Sequence, residues 1–333
     1  MNCAACAKAE QSGVRALNLK TLGLLALPPM MWAGNAVVGR LLVGLMPPVQ
    51  MNAVRWALVA ALMAPMAWKV WRRPSEVRAR WRYLALIGAL GVGTYNALQY
   101  LALQTSSPLN VTLIGASIPV WMMLVGAVFF AQPISARQWG GAALSTAGVV
   151  LVIAQGQWRT LLQVQLVPGD LLMLLASLAW AFYSWLLAKP PQSMAGDQRP
   201  AWDWAEFLWL QILFGLAWAV LCSALEWSIP TSSQPVAVAS AIDAINAWPP
   251  MLRLAVGLLF VALGPSILAY RCWGLGVQAV GPTMAAFFVN LTPIFAAVWA
   301  AVLLGQHPRW YHPCALLLIV LGIALSSSRR PTQ

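Results

Sequence analysis

The residues able to do chemistry are few, and they interrupt long apolar runs. Three are arginines, Arg40, Arg55 and Arg271. Two readings stay open for each: snorkelling of the long stem toward headgroups, or attraction of a carboxylate through two parallel hydrogen bonds. Asn96, Gln99 and Tyr100 recur at helical spacing and can project together into one cavity. Tyr270 and Trp273 flank Arg271 and follow Gly264 and Pro265, a pair that kinks or bends a helix. Trp32 with Asn35, Trp180 with Tyr183 and Ser184, and Asn290 with Thr292 complete the set. In lipid a polar side chain is costly unless it faces protein or a water-filled cavity, so these residues are candidate substrate ligands. Interhelical packing by hydrogen bonds is the competing reading. The chemistry they suit is recognition of a small molecule with a charged group and an apolar part.

Bond-breaking chemistry has no support. Both histidines, His307 and His312, fall in one expected loop, and the eight acids lie almost entirely in loops or at the ends of apolar runs. No nucleophile, base or metal set converges, so no catalytic residue, metal or cofactor is expected. Cys3 and Cys6 form a lone C-x-x-C without the context of a redox or zinc motif, while Cys222, Cys272 and Cys314 read as small apolar residues.

The elements that must position the candidates are transmembrane helices. The chain has 333 residues, 61% of them hydrophobic and 8% charged, with a mean hydropathy of +0.73, too apolar for a soluble core. Whole runs such as AAVWAAVLLG are apolar on every face, which rules against barrel strands. Windows of about 20 residues give ten helices: 21–44, 50–69, 82–103, 108–130, 138–155, 168–188, 204–225, 251–276, 281–304 and 311–327. Tails at 1–20 and 328–333 and a connection at about 226–250 lie outside them. Most of the nineteen tryptophans fall near helix ends as an interfacial belt, leaving Trp32, Trp121, Trp180, Trp273 and Trp299 deep enough to meet a ligand.

The net charge of +12 sorts by loop. With the N-terminus inside, fourteen lysines and arginines fall on the cytoplasmic side and three, Arg159, Arg253 and Arg309, on the other. This positive-inside bias predicts cytoplasmic termini in an inner, cytoplasmic membrane. It assigns WRRPSEVRARWR to orientation and not to nucleic acid.

A repeat underlies the helices. Shifted by 174 residues, Gln104 falls on Gln278, Pro108 on Pro282, Pro119 on Pro293, Gln132 on Gln306, Gly148 on Gly322 and Leu151 on Leu325. The two units are 21–155 and 156–327, and the long connection belongs to the second. Five helices per unit is odd, so the second copy enters the bilayer from the opposite side. Inverted halves of this kind recur in carriers that rock around a central site.

The stretches WAGNAVVGR, PPVQMNAVRWALVAAL, YNALQYLALQTSSPLNVTLIGASIPV, GDLLMLLASLAWAFYS and AYRCWGLGVQAVGPTMAAFFVNLTPIFAAVWAAVLLGQ resemble the EamA-type drug/metabolite transporters. The resemblance implies a ten-helix, two-repeat fold and export of amino acids or related metabolites. It also gives Arg55 the arginine position of the family's second-helix motif, in a structural or gating role. Gln132 and Gln306 stand where the family usually carries glutamate.

The expectation is therefore a secondary transporter, with Pro119 and Pro293 bending helices four and nine and Arg40, Arg55, Gln132 and Gln306 as gating or structural residues. A multidrug or other metabolite exporter is the alternative, and a non-transporting scaffold or sensor the reading from a different class. The partners expected are a small-molecule substrate and the lipid bilayer, with no nucleic acid. A monomer suffices, because a five-plus-five carrier can enclose its own path.

Overall fold

The computed structural model describes residues 18–42, 45–106, 108–163, 165–227, 248–304 and 308–327. Gln306, His307, Cys3, Cys6, residues 1–17 and 328–333 and most of the 226–250 connection lie outside the described residues. Among the described residues the regular structure is helical throughout.

The first half runs through α1 (Leu19–Leu41), α2 (Pro48–Ala67) with a 3₁₀ extension Trp68–Arg72, and α3 (Pro74–Ile87). A π-helical segment, Gly88–Thr94, then leads without a break into α4 (Tyr95–Thr105). α5 (Pro108–Gly115), α6 (Ile118–Phe130) and α7 (Ala136–Ile153) complete it. The second half comprises α8 (Pro168–Ala188), α9 (Trp204–Trp227) and α10 (Pro250–Val261). A second π-helical segment, Ala262–Leu268, joins α10 to α11 (Ala269–Val280), and α12 (Pro282–Val289), α13 (Thr292–Leu304) and α14 (Tyr311–Ser327) follow.

Eight helical runs are long and apolar enough to cross a membrane. Ten are not reached on that measure: α14 has only 17 residues, and α7 opens with Arg137 and Gln138, which dilute its apolar content. The third run starts at Pro74, eight residues before the expected 82, because Pro74 suits a first helical turn and Glu76 supplies a favourable charge there. Helices four and nine are each broken in two. Pro119 therefore sits in the first turn of α6, where a missing N–H costs nothing, and Pro293 occupies the second position of α13. They start helices, and each expected bend takes the form of a two-residue break just before the proline-bearing turn.

The repeat extends to helix boundaries. The π segments start at 88 and 262, an offset of 174, and the same offset relates both ends of α5 to α12 and of α6 to α13. Repeat-related α7 and α14 lie against each other through Gly141 and Gly322, where a Cβ on either would come within 2.7 Å of the other's carbonyl oxygen. Without a hydrophobic drive between helices in lipid, such close backbone approach supplies dispersion contact.

α8 is the central strut, packed against α4, α5, α6 and α11. Its start is tied to the α4–α5 corner through Asp170, and near its other end the Leu186 carbonyl accepts from Tyr83 of α3 at 2.9 Å. The bundle thus has an Asp170 end and an opposite end, where Arg73 pairs with Glu206 at 2.9 Å.

Candidate functional site

Trp180, halfway along α8 and 3% exposed, is met by five aromatic rings. Trp32 of α1 approaches edge-on at 5.2 Å and Tyr95 of α4 at 5.1 Å. Tyr183, one turn along α8, lies at 5.1 Å, and Tyr270 and Trp273 of α11 at 5.7 and 5.4 Å. Trp32 and Trp273 also meet at 5.6 Å. Offset and edge-on geometries are those the ring quadrupoles favour. Both halves of the chain supply rings.

Four polar tips of this box bond to neighbouring helices. Trp273 Nε1 donates to Ser184 Oγ at 3.2 Å, and Tyr183 donates its hydroxyl to Gln211 of α9 at 3.1 Å. Tyr270 donates to the Gly91 carbonyl at 2.6 Å, and Trp32 Nε1 to the Pro265 carbonyl at 3.3 Å. Gly91 and Pro265 are repeat-equivalent positions, each inside its π segment. Where a helix changes register between i−4 and i−5 bonding, carbonyls are offered to outside donors. Each half therefore receives an aromatic donor from the other. Gly91 is required here, since a Cβ would stand 2.6 Å from the Tyr183 ring.

A cavity of about 580 Å³ opens beside the box, toward the Arg73 end. Tyr183 and Tyr270 lie on its wall, along with Leu187, Trp204, Arg271 and Gln278. Its rim is polar: the Arg271 guanidinium lies 4.7 Å over Trp204, and Asp203 caps α9 by accepting the Ala205 and Glu206 amides at 2.8 and 2.9 Å. The volume is that of a drug-sized or amino-acid-sized site.

At the Asp170 end, polar contacts tie the two halves together. Asp170, 3% exposed, accepts from the Ser106 hydroxyl, from Asn110 Nδ2 at 3.2 Å and from the Val167 amide at 2.9 Å. Asn110 also donates to the Gln165 carbonyl at 2.9 Å.

Arg55 is 2% exposed on α2. Its Nε donates to Ser266 Oγ at 2.7 Å, and its guanidinium lies 4.9 Å from the Trp56 ring, which in turn meets Tyr270 at 5.1 Å. Nη1 is buried with no hydrogen-bond partner. Asn52, one turn earlier on the same face and fully buried, leaves both amide atoms unpartnered, and so does Asn96 with its Nδ2. The ion pairs among the described residues both involve Arg73, so no described carboxylate is paired with Arg55.

The candidate residues are thus divided. Trp32, Trp180, Tyr183, Tyr270 and Trp273 come together, and Arg271 stands half-buried at the cavity rim. Asn96 is buried beside the Arg55 and Tyr270 group. Gln99 and Tyr100 on α4 and Asn35 on α1 are half-buried. Asn290 donates to Ser145 of α7 at 3.0 Å, a link between helices. Gln132 folds back toward the carbonyls of Phe130 and Ala131, closing the end of α6 after Ala131 turns left-handed at φ 52°. Arg40 lies on α1, and Gln306 is beyond the described residues. Sequence reasoning missed Trp56, Asn52, Ser266 and Gln211. The spacing Asn52, Arg55, Trp56 was the available signal, since i, i+3 and i+4 share a helix face.

A model of the EamA-like transporter family matches residues 19–154 and again 167–328. An uncharacterized transporter of Archaeoglobus fulgidus is 26% identical over 318 residues, covering 94% of this chain and 99% of its own. The uncharacterized transporter YyaM of Bacillus subtilis is 23% identical over 86% of each chain, and protein PecM of Dickeya dadantii 24% identical over 83% and 86%. A solved structure titled only as a crystal structure of a protein superposes with a TM-score of 0.68 at 19% identity, over 92% of this chain and 95% of that one. These matches, with the apolar helices, make the chain a multi-pass membrane protein of transporter type.

Proposed function

We propose, for a chain that belongs to the EamA-like transporter family, secondary export of amino acids or related small carboxylate-bearing metabolites by alternating access. The observation that carries this reading is the cavity that opens at one end and at the other meets Tyr183 and Tyr270, members of a ring cluster to which both halves contribute. A path lined by both halves and closed at its far end is what a carrier presents to one compartment at a time. Ten spans, counting α7 and α14, give five per half. An odd number would invert the second half, and the positive-inside bias supports a cytoplasmic position for both termini and the cavity mouth. The molecule then faces inward, with the Asp170 contacts closing the outer side. A monomer contains the whole path, and the reading needs no cofactor.

One observation favours a second reading. Six aromatic rings cluster beside the cavity, and aromatic faces attract apolar cations, which suits a multidrug or other metabolite exporter. The buried Arg55 opposes a cation near the box. The test is counterflow in liposomes: purified protein, an unlabelled amino-acid mixture inside and labelled amino acid outside. Saturable accumulation is expected without an ion gradient. Accumulation of labelled cations instead would favour the second reading, and absence of any counterflow by folded protein would favour a scaffold or sensor.

A further inference from the structure

We infer that Arg55, with Asn52 and Ser266, forms the site that receives the carboxylate of the transported molecule. The inference rests on the transporter reading and deepens it, and it moves the carboxylate contact from the rim to the interior. A guanidinium inside a membrane span is retained only where something repays its lost hydration. Here the protein repays part. Ser266 holds Nε and Trp56 covers one face, while Nη1 is buried without any acceptor. Held by one prong, the fork is oriented and still has a donor to give, the state a bidentate carboxylate completes.

The neighbours point the same way. Buried amides are almost always hydrogen-bonded, yet both polar atoms of Asn52 lack partners although the residue is 0% exposed. Its Nδ2 would serve the second carboxylate oxygen, and its Oδ1 an amino group beside the carboxylate. Asn96 adds another unused donor. Arg55 and Asn96 stand beside Tyr270, whose ring lines the cavity and also meets Trp56. The site is therefore closed off from the cavity here and is reached when Tyr270 moves. Arg271 does not compete for the role, because at the half-exposed rim, stacked on Trp204, it keeps much of its hydration.

The test reads binding without transport. Full-length protein in detergent is melted with L-phenylalanine, with phenylacetate, or with L-phenylalaninamide, which lacks the carboxylate. The two carboxylates should raise the melting temperature and the amide should not. Arg55→Gln should abolish the shift. Asn52→Leu should weaken carboxylate affinity by about tenfold while leaving the ligand-free melting temperature unchanged or higher, since it removes two unpaired polar atoms. If Arg55→Gln does not fold, Arg55→Lys keeps the charge but loses the fork and should also weaken affinity. Equal shifts by amide and carboxylate, no shift by any probe, or full affinity in Asn52→Leu and Arg55→Lys would overturn the site. Carboxylate binding without counterflow would reject the transporter reading and keep the site. Counterflow with undiminished binding in the Arg55 variants would do the reverse.

Discussion

The Tyr270 hydroxyl, on α11, donates to the Gly91 carbonyl, in the π segment of the other half, across 2.6 Å. The bond closes the wall between the cavity and Arg55, and its counterpart is the longer bond from Trp32 to Pro265.

Tyr270→Phe keeps the ring contacts with Trp56 and Trp180 and deletes that donor. A carbonyl left unpaired in the interior should cost about 1–3 kcal/mol, seen as a lower melting temperature. Trp32→Phe should cost less, because the 3.3 Å bond it removes is weaker. A Tyr270→Phe protein that melts with the parent would show that the contact contributes nothing.

Trp180→Ala removes the ring on which five others converge. Loss of a buried tryptophan typically costs about 3–5 kcal/mol, and counterflow should disappear. Trp180→Phe should keep the fold and lower the transport rate only in part. Parental transport by the alanine variant would remove the box from the path.

Arg271→Ala trims a rim charge over Trp204 and leaves the interior untouched. Rim charges act mainly on encounter, so KM for carboxylates should rise about threefold to tenfold at low salt with the maximal rate kept. A collapse of the maximal rate would instead put Arg271 at the bound substrate.

Asp170→Asn places an amide N–H₂ among three donors, from Ser106, Asn110 and Val167. The mismatch should cost about 1–3 kcal/mol and loosen the closed end. A cysteine introduced at Ser106, 5% exposed in the closed end, should react faster with a polar maleimide when combined with Asp170→Asn than alone. Equal labelling would show that Asp170 does not hold that end.

Much of this architecture was legible in the sequence. Unbroken apolar runs allow no other fold class, and paired landmarks such as Pro108 with Pro282 located the repeat because each proline opens a helix in the structure. The box was largely legible: five of its six rings, Trp32, Trp180, Tyr183, Tyr270 and Trp273, are polar-tipped aromatics inside expected helices. What stayed hidden depended on tertiary geometry. No residue pattern marks the i−5 bonding of Gly88–Thr94, and Pro119 reads as a kink until Ser117 is seen to satisfy the Ile114 carbonyl at 2.5 Å beside the break. Burial of Arg55 depended on which neighbour its helix face meets, and its partner Ser266 lies 211 residues away.

The paired π segments also show what the two halves hold in common. A π turn gives a helix one residue more per turn than α-helical winding. That surplus sits at matching places in both halves, Gly88–Thr94 and Ala262–Leu268, with glycine at 91 against proline at 265. The backbone irregularity is shared, while the residues that accompany it differ.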